Sequence, residues 1–214
     1  MPPVPVRDAA TVILLRDGPE GPAVLVGRRG ARAAFMPSKY VFPGGALDAG
    51  DAGLPLPAPD PGVSAVLGRQ AGALCACAIR ELWEETGQII GRPGDWPDAP
   101  AGWRGFAATG HRPDPAALEL VFRAVTPAGQ PRRFDARFFV ARAERLASDP
   151  DDFSRAEDEL AHLHWAPMSR LDRLDLPEIT RLALAELAAR RADPDPGRPV
   201  PYFHGTRQAP MPPA

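Results

Sequence analysis

The chain has 214 residues and a mass of 22.9 kDa, enough for one moderately large domain or two small ones. Hydrophobic residues make up 44% of it, which supports an ordinary core, while 28 prolines and 20 glycines require a large share of loop and turn. A formal charge of −2 removes the global electrostatic argument for a nucleic-acid partner and leaves room only for a local basic pocket.

Residues 1–8 form a Pro-rich lead. Ala9 to Arg16 and Ala23 to Arg28 read as two apolar strands joined by the turn Asp17-Gly18-Pro19-Glu20-Gly21-Pro22, a hairpin. The segment from Gly30 to Tyr40 is irregular. Arg28, Arg29, Arg32 and Lys39, the lone lysine of the chain, flank or occupy it. Val41-Phe42 then runs into Pro43-Gly44-Gly45, which ends any regular element. Asp48 to Pro61 is loop. A helical pattern begins between Val63 and Ala73, is firm from Leu74 to Glu85, and stops near Gly87. Residues 91–102 form a second loop, and Asp114 to Arg123 is expected to be helical. A turn follows over Thr126 to Arg132, then a strand over Arg137 to Arg142. Asp149 to Glu159 reads as acidic and mobile, Leu160 to Pro167 as a strand, and Leu176 to Arg191 as a helix. The segment 193–214 is expected to be a Pro-rich tail. No apolar run reaches the roughly 18 residues of a membrane span, and Cys75 and Cys77 are too close in sequence to staple the chain, so a cytoplasmic location without a membrane partner is expected. Short strands alternate with helices around one centre, which implies a single α/β or α+β unit.

The chemistry concentrates in Arg80-Glu81-Leu82-Trp83-Glu84-Glu85-Thr86-Gly87. On a helix, Glu81, Glu84 and Glu85 share an arc of roughly 100°, while Cys75, Ile79, Leu82, Trp83 and Thr86 lie on the other side. Such like charges oppose a bare helix by roughly 0.2–0.5 kcal/mol per pair. The bland alternative is a solvated acidic face. A divalent cation would turn the repulsion into binding energy, and oxygen ligands favour Mg²⁺ or Mn²⁺ over zinc. Gly44 and Gly45 allow a backbone to approach a ligand or metal closely. The same wheel puts Cys75 on the core side and Cys77 between the directions of Glu81 and Glu84.

With Gly45, Asp51, Arg80, Glu81, Leu82, Glu84, Glu85 and Gly87 in these positions, the chain resembles the Nudix hydrolases, whose signature runs G-x5-E-x7-R-E-U-x-E-E-x-G-U with U aliphatic. Asp51 stands where the family has Glu, about 21 residues (52–72) interrupt the signature, and Gln88 replaces its last aliphatic residue. The arginine-rich approach to Phe42-Pro43-Gly44-Gly45, the interrupted signature, and the strings at 122–141 and 158–167 are similar to the branch with coenzyme A and acyl-coenzyme A diphosphatases. The resemblance spans residues 9–190 and implies a mixed β-sheet sandwiched between helices, one domain over 9–192, and the 52–72 insertion as a surface excursion. It also implies metal-dependent hydrolysis of a small-molecule nucleotide diphosphate. Coenzyme A or an acyl derivative is the first choice, with ADP-ribose, nucleotide sugars and other nucleotide diphosphates as alternatives; a non-catalytic nucleotide-binding module is an alternative of another class. By the same resemblance Glu84, Glu85 and the carbonyl of Gly45 hold the metal, with Glu81 as a third ligand or a water-orienting base; Arg80 braces the carboxylates, and Glu159 or Asp51 is the general base. Arg28, Arg29, Arg32, Gly44 and Gly45 then bind substrate. The resemblance is compatible with a homodimer.

Overall fold

The computed structural model describes residues 4–211 except Pro196 and Thr206. In chain order the strands and helices are β1 (Val6–Gly18), β2 (Gly21–Arg29), β3 (Tyr40–Val41), β4 (Gly44–Ala46), α1 (Pro61–Leu67), α2 (Ala71–Thr86), β5 (Gly91–Pro93), α3 (Arg104–Ala107), β6 (His111–Pro113), β7 (Glu119–Val125), β8 (Arg133–Arg142), β9 (Leu160–Pro167), α4 (Glu178–Ala192), β10 (Pro201–His204) and β11 (Arg207–Pro210). The main sheet runs β11-β10-β7-β8-β1-β2-β3, with β4 also on β1 and β9 on β2. β1 pairs with β8 in parallel and with β2 in antiparallel fashion, so the sheet is mixed.

Strand alternation splits the core in two. Val12 and Leu14 of β1 pack with Leu25, Phe139 and the α2 residues Leu74, Cys75, Ala78, Ile79 and Leu82. Ile13 and Leu15 face the opposite way, toward Val24, Val26, Phe138 and the α4 residues Ala183, Leu184 and Leu187. Burial on both faces explains why β1 reads as a nearly continuous apolar run. The mixed sheet between helices is the expected fold class.

Four local expectations change. Residues 114–123 are not helical: Pro115–Ala117 makes one tight helical turn, and β7 follows. A bulge between Leu120 and Phe122 sends these side chains to the two different cores, so their spacing mimics no simple strand. The 193–214 segment is more than a tail, because β10 pairs with β7 and Arg123 lies over the Tyr202 ring. The 52–72 insertion is not wholly on the surface. Val63 and Leu67 of α1 are buried in the α2-side core, with Leu54 and Leu56 packed against it. Finally, the continuous helical run Pro61–Thr86 is long and apolar enough, by length and composition, to cross a membrane. Half of its most apolar window is buried within the fold, and α2 packs directly on β1.

Candidate active site

α2 packs on β1 and β4, and its last two turns present Glu81 and Glu85 to β4. Gly44 donates its N–H to Glu85 Oε2 at 2.8 Å. A Cβ on Gly45 would sit 2.5 Å from the Glu81 carboxylate, so only glycine admits this approach. Arg80 is the hub. Its Nε and Nη2 donate to Asp51 Oδ1 and Oδ2 at 2.8 and 2.9 Å, a two-pronged pair. Its Nη1 donates to Glu81 Oε1 at 2.9 Å and to Glu84 Oε2 at 2.8 Å, and Nη2 also reaches the Ala46 carbonyl at 3.2 Å. Asp51 is buried at the end of a short turn, where its Oδ2 also accepts the Asp48 N–H. Both Asp51 oxygens are thus engaged, both of them by Arg80.

The carboxyl groups respond to this confinement. Burial pushes Glu81 from its ordinary 4.5 up to about 7, against the pull of Arg80, and repulsion from Glu84 and Glu159 adds to the rise. Burial raises Glu85 well above the ordinary carboxylate range despite the Gly44 N–H, and it also raises Glu84. Glu85 is only 2% exposed, and its Oε1 has no hydrogen-bond partner among the described residues. A buried, unpaired carboxylate oxygen is costly unless something outside the protein satisfies it. Among the described residues no group of three or more His, Cys, Asp or Glu side chains is already gathered at metal-holding distance; in their place Arg80 bridges Glu81 and Glu84. The donor chemistry of Glu81, Glu84 and Glu85 nevertheless fits a hard divalent cation.

The segment 148–159 crosses the end of α2 and is tied to neighbouring elements by several hydrogen bonds. Glu157 N–H donates to the Glu84 carbonyl at 2.9 Å. Trp165 Nε1 donates to the Pro150 carbonyl at 2.9 Å, and Arg16 pairs with Asp151 at 2.8 Å. The segment ends at Glu159, 53% exposed, whose charge is felt by both Glu81 and Glu85. Arg29 Nη2 holds Glu159 at 2.8 Å.

Arg29, Arg32 and Glu159 line an open cleft of about 510 Å³, together with Gly30, Ala33 and Arg132. Arg28 points elsewhere, with its Nε donating to the Ser38 carbonyl at 3.3 Å. The structure therefore brings Arg29, Arg32, Glu159, Gly44, Gly45, Asp51, Arg80, Glu81, Glu84 and Glu85 to one side of the sheet and leaves Arg28 outside the cleft lining. Arg132 was not a sequence candidate. It belongs to the β7–β8 turn, and only the pairing of those strands carries it to the cleft.

Trp96 and Trp103 are buried in the α2-side core. Trp165 lies under the Arg16 guanidinium. In β9 a register shift lies near His162, which has φ of 52°, and His164 Nδ1 contacts the His162 carbonyl at 2.8 Å. Cys75 is buried in the core, and burial raises its thiol to about 12. Cys77 lies on the acidic side, as the wheel places it, 3.7 Å from the Gly45 carbonyl. Burial, with Asp51 and Glu81 nearby, raises its pKa further.

No protein-family model matches the chain. Among solved structures, a NUDIX hydrolase from Alicyclobacillus acidocaldarius is similar at a TM-score of 0.65 and 30% identity, over 87% of this chain and 92% of that one. An acyl-coenzyme A diphosphatase of Gallus gallus is 29% identical over 81% of this chain and 64% of its own length. A Caenorhabditis elegans protein named as a nudix hydrolase is 25% identical over 74% of this chain and 50% of its own length. The chain thus spans between half and two thirds of the curated relatives it matches.

Proposed function

The chain belongs to the Nudix hydrolase family, and from that premise we propose that it hydrolyses a nucleoside diphosphate linked to another moiety, with coenzyme A or acyl-coenzyme A as substrate. The observation that carries the reading is the Glu81, Glu84 and Glu85 cluster at Gly44-Gly45, with Glu85 Oε1 buried and unpaired. Glu81, Glu84 and Glu85, with the Gly45 carbonyl, would hold Mg²⁺ or Mn²⁺. When bound, the cation supplies charge stabilisation for the diphosphate oxygens.

The chain's own groups do the rest. Arg80 fixes Glu81 and Glu84 through two hydrogen bonds from one nitrogen, and Asp51 fixes Arg80. Glu159, kept beside the cluster by Arg29, takes a proton from the attacking water. Oxygen from water adds to one phosphorus, the bridging P–O bond breaks, and the products are 3′-phosphoadenosine 5′-phosphate and (acyl-)phosphopantetheine. Arg32 and Arg132, in the cleft beside Glu159, bind the additional phosphate by charge-assisted hydrogen bonds. The similarity to the Gallus gallus acyl-coenzyme A diphosphatase supports this choice of substrate.

The test is turnover of coenzyme A, acyl-coenzyme A, dephospho-coenzyme A, ADP-ribose and nucleotide sugars with Mg²⁺ or Mn²⁺, with products identified by mass. Glu84→Gln or Glu85→Gln should lower kcat at least ~100-fold. Removing the 3′-phosphate should raise KM more than it lowers kcat. A clear preference for ADP-ribose refutes the substrate choice, and no turnover of any diphosphate with either metal refutes the activity.

A further inference from the structure

Gln88 occupies the signature position where an aliphatic residue is expected, yet it is fully buried. A buried primary amide needs a partner for each N–H and for its oxygen. Gln88 has all of them, and all lie in one segment. Its Nε2 donates to the Asp149 carbonyl at 3.1 Å and to the Asp152 carbonyl at 2.9 Å. Its Oε1 accepts from Ser148 Oγ at 2.8 Å, and Ser148 Oγ in turn accepts the Ile89 N–H at 3.0 Å. The backbone of Gln88 is fixed as well: its N–H donates to Thr86 Oγ1, which donates to the Leu82 carbonyl inside α2.

The clamped segment is the one that carries the acids toward the helix carboxylates. From Asp152 it continues through Phe153, packed against the α2-side core, and past Gly87, where a Cβ would come within 3.0 Å of Arg155 Cβ. It then reaches the Glu157–Glu84 backbone bond and Glu159. Gly87 has φ of 73° and closes α2 by donating to the Trp83 carbonyl, so the segment crosses the helix end at the residue just before the clamp. An aliphatic residue at 88 would fill the same space but leave the Asp149 and Asp152 carbonyls without these donors.

We infer that Gln88 is a positioning residue: its side-chain amide fixes the 148–159 segment on the end of α2 and so sets the place of Glu159 against the Glu81–Glu85 cluster. This rests on the reading of Glu159 as the proton acceptor in the proposed hydrolysis.

Gln88→Met keeps the volume and removes the amide. Hydrogen exchange of amides in residues 149–157 should accelerate at least ~10-fold in this variant, with Mn²⁺ affinity of the carboxylate cluster unchanged within about twofold. The kcat should fall about tenfold with KM nearly unchanged, a fraction of the roughly 100-fold or more a positioned base contributes. In a Glu159→Gln background the same substitution should have no further effect on kcat, because the two act through one group. Ser148→Ala, which removes the middle of the clamp without touching α2, should show the same pattern at smaller size and serves if Gln88→Met does not fold. Unchanged exchange in 149–157 overturns the clamp. An equal kcat loss with and without Glu159 overturns the positioning role. Absence of turnover in the unmodified protein, with exchange accelerated as expected, instead refutes the hydrolase reading and leaves the clamp standing.

Discussion

Glu81→Gln should make the metal-free protein more stable, and increasingly so as pH rises. Folded Glu81 keeps its proton to about pH 7, whereas the unfolded chain releases it near the ordinary 4.5. Between those values the folded state binds more protons than the unfolded state, so stability falls as pH rises through the window, and the full cost is present above pH 7. At about 1.4 kcal/mol per pH unit, the interval corresponds to roughly 3 kcal/mol at pH 8 and under about 1 kcal/mol at pH 5. Glutamine never ionises, while its Oε1 still accepts the Arg80 Nη1 hydrogen bond that Glu81 now receives at 2.9 Å. Urea unfolding of both proteins in excess chelator at pH 5 and pH 8 measures the difference. Adding Mg²⁺ should close the gap at pH 8, because a cation that binds the folded wild type stabilises it by mass action. A variant no more stable than wild type at pH 8 in chelator, or a gap of equal size at both pH values, would refute the reasoning.

Arg80→Met leaves buried Asp51 without its partner and should destabilise the fold by about 3–5 kcal/mol in urea unfolding, with Arg80→Met/Asp51→Asn recovering part of the loss. A loss no larger than a surface substitution would show that Arg80 does not hold Asp51. Leu67→Ala in the insertion should cost about 2–3 kcal/mol, since Leu67 is buried against the α2 core; under about 0.5 kcal/mol would return the insertion to the surface. Cys75 and Cys77 are buried with raised thiol pKa values, so both should label with iodoacetamide at pH 8 only on unfolding. Thiol mapping that finds rapid native labelling at either site counts against the packing of α2.

The parts of the fold legible in the sequence are those whose apolar period is set by one dominant neighbour. The β1–β2 hairpin, β9 and the firm part of α2 fall where the pattern puts them, and α4 begins only two residues later than expected. β7 was misread because its bulge breaks the alternation, and β10 because a four-residue strand among prolines is stabilised by its pairing with β7 rather than by its own pattern. α1 has a start signal in the sequence itself: Asp60 accepts the Gly62 N–H as a cap and Pro61 opens the helix. At the site, Glu81, Glu84 and Glu85 were readable because they sit on one helix. The Arg29–Glu159 pair spans 130 positions, and Arg132 reaches the cleft only through the β7–β8 pairing, so no local pattern announces either.

The interrupted signature has a physical resolution in the same geometry. Asp51 and Arg80 are 29 positions apart, yet the capped turn at Asp48–Asp51 brings the shorter acid within reach of the guanidinium, and α1 packs the intervening chain back onto α2. The intervening residues thus leave Asp51 and Arg80 in contact, and the packing of Val63 and Leu67 offsets the small entropic cost of the longer connection. What remains is an imbalance. Asp51, Glu81 and Glu84 share the one guanidinium of Arg80, Glu85 accepts only the Gly44 N–H among the described residues, and burial discourages the excess negative charge. Without a cation, burial favours the protonated form of Glu81 and raises Glu85 in the same direction. A divalent cation bound there would take the place of such protons, so Mg²⁺ or Mn²⁺ binding should release protons and strengthen as pH rises toward 7, a change that titration calorimetry in buffers of different ionisation enthalpy measures. The confinement of carboxylates that weakens the metal-free fold at high pH would thus be the same free energy that favours a bound cation.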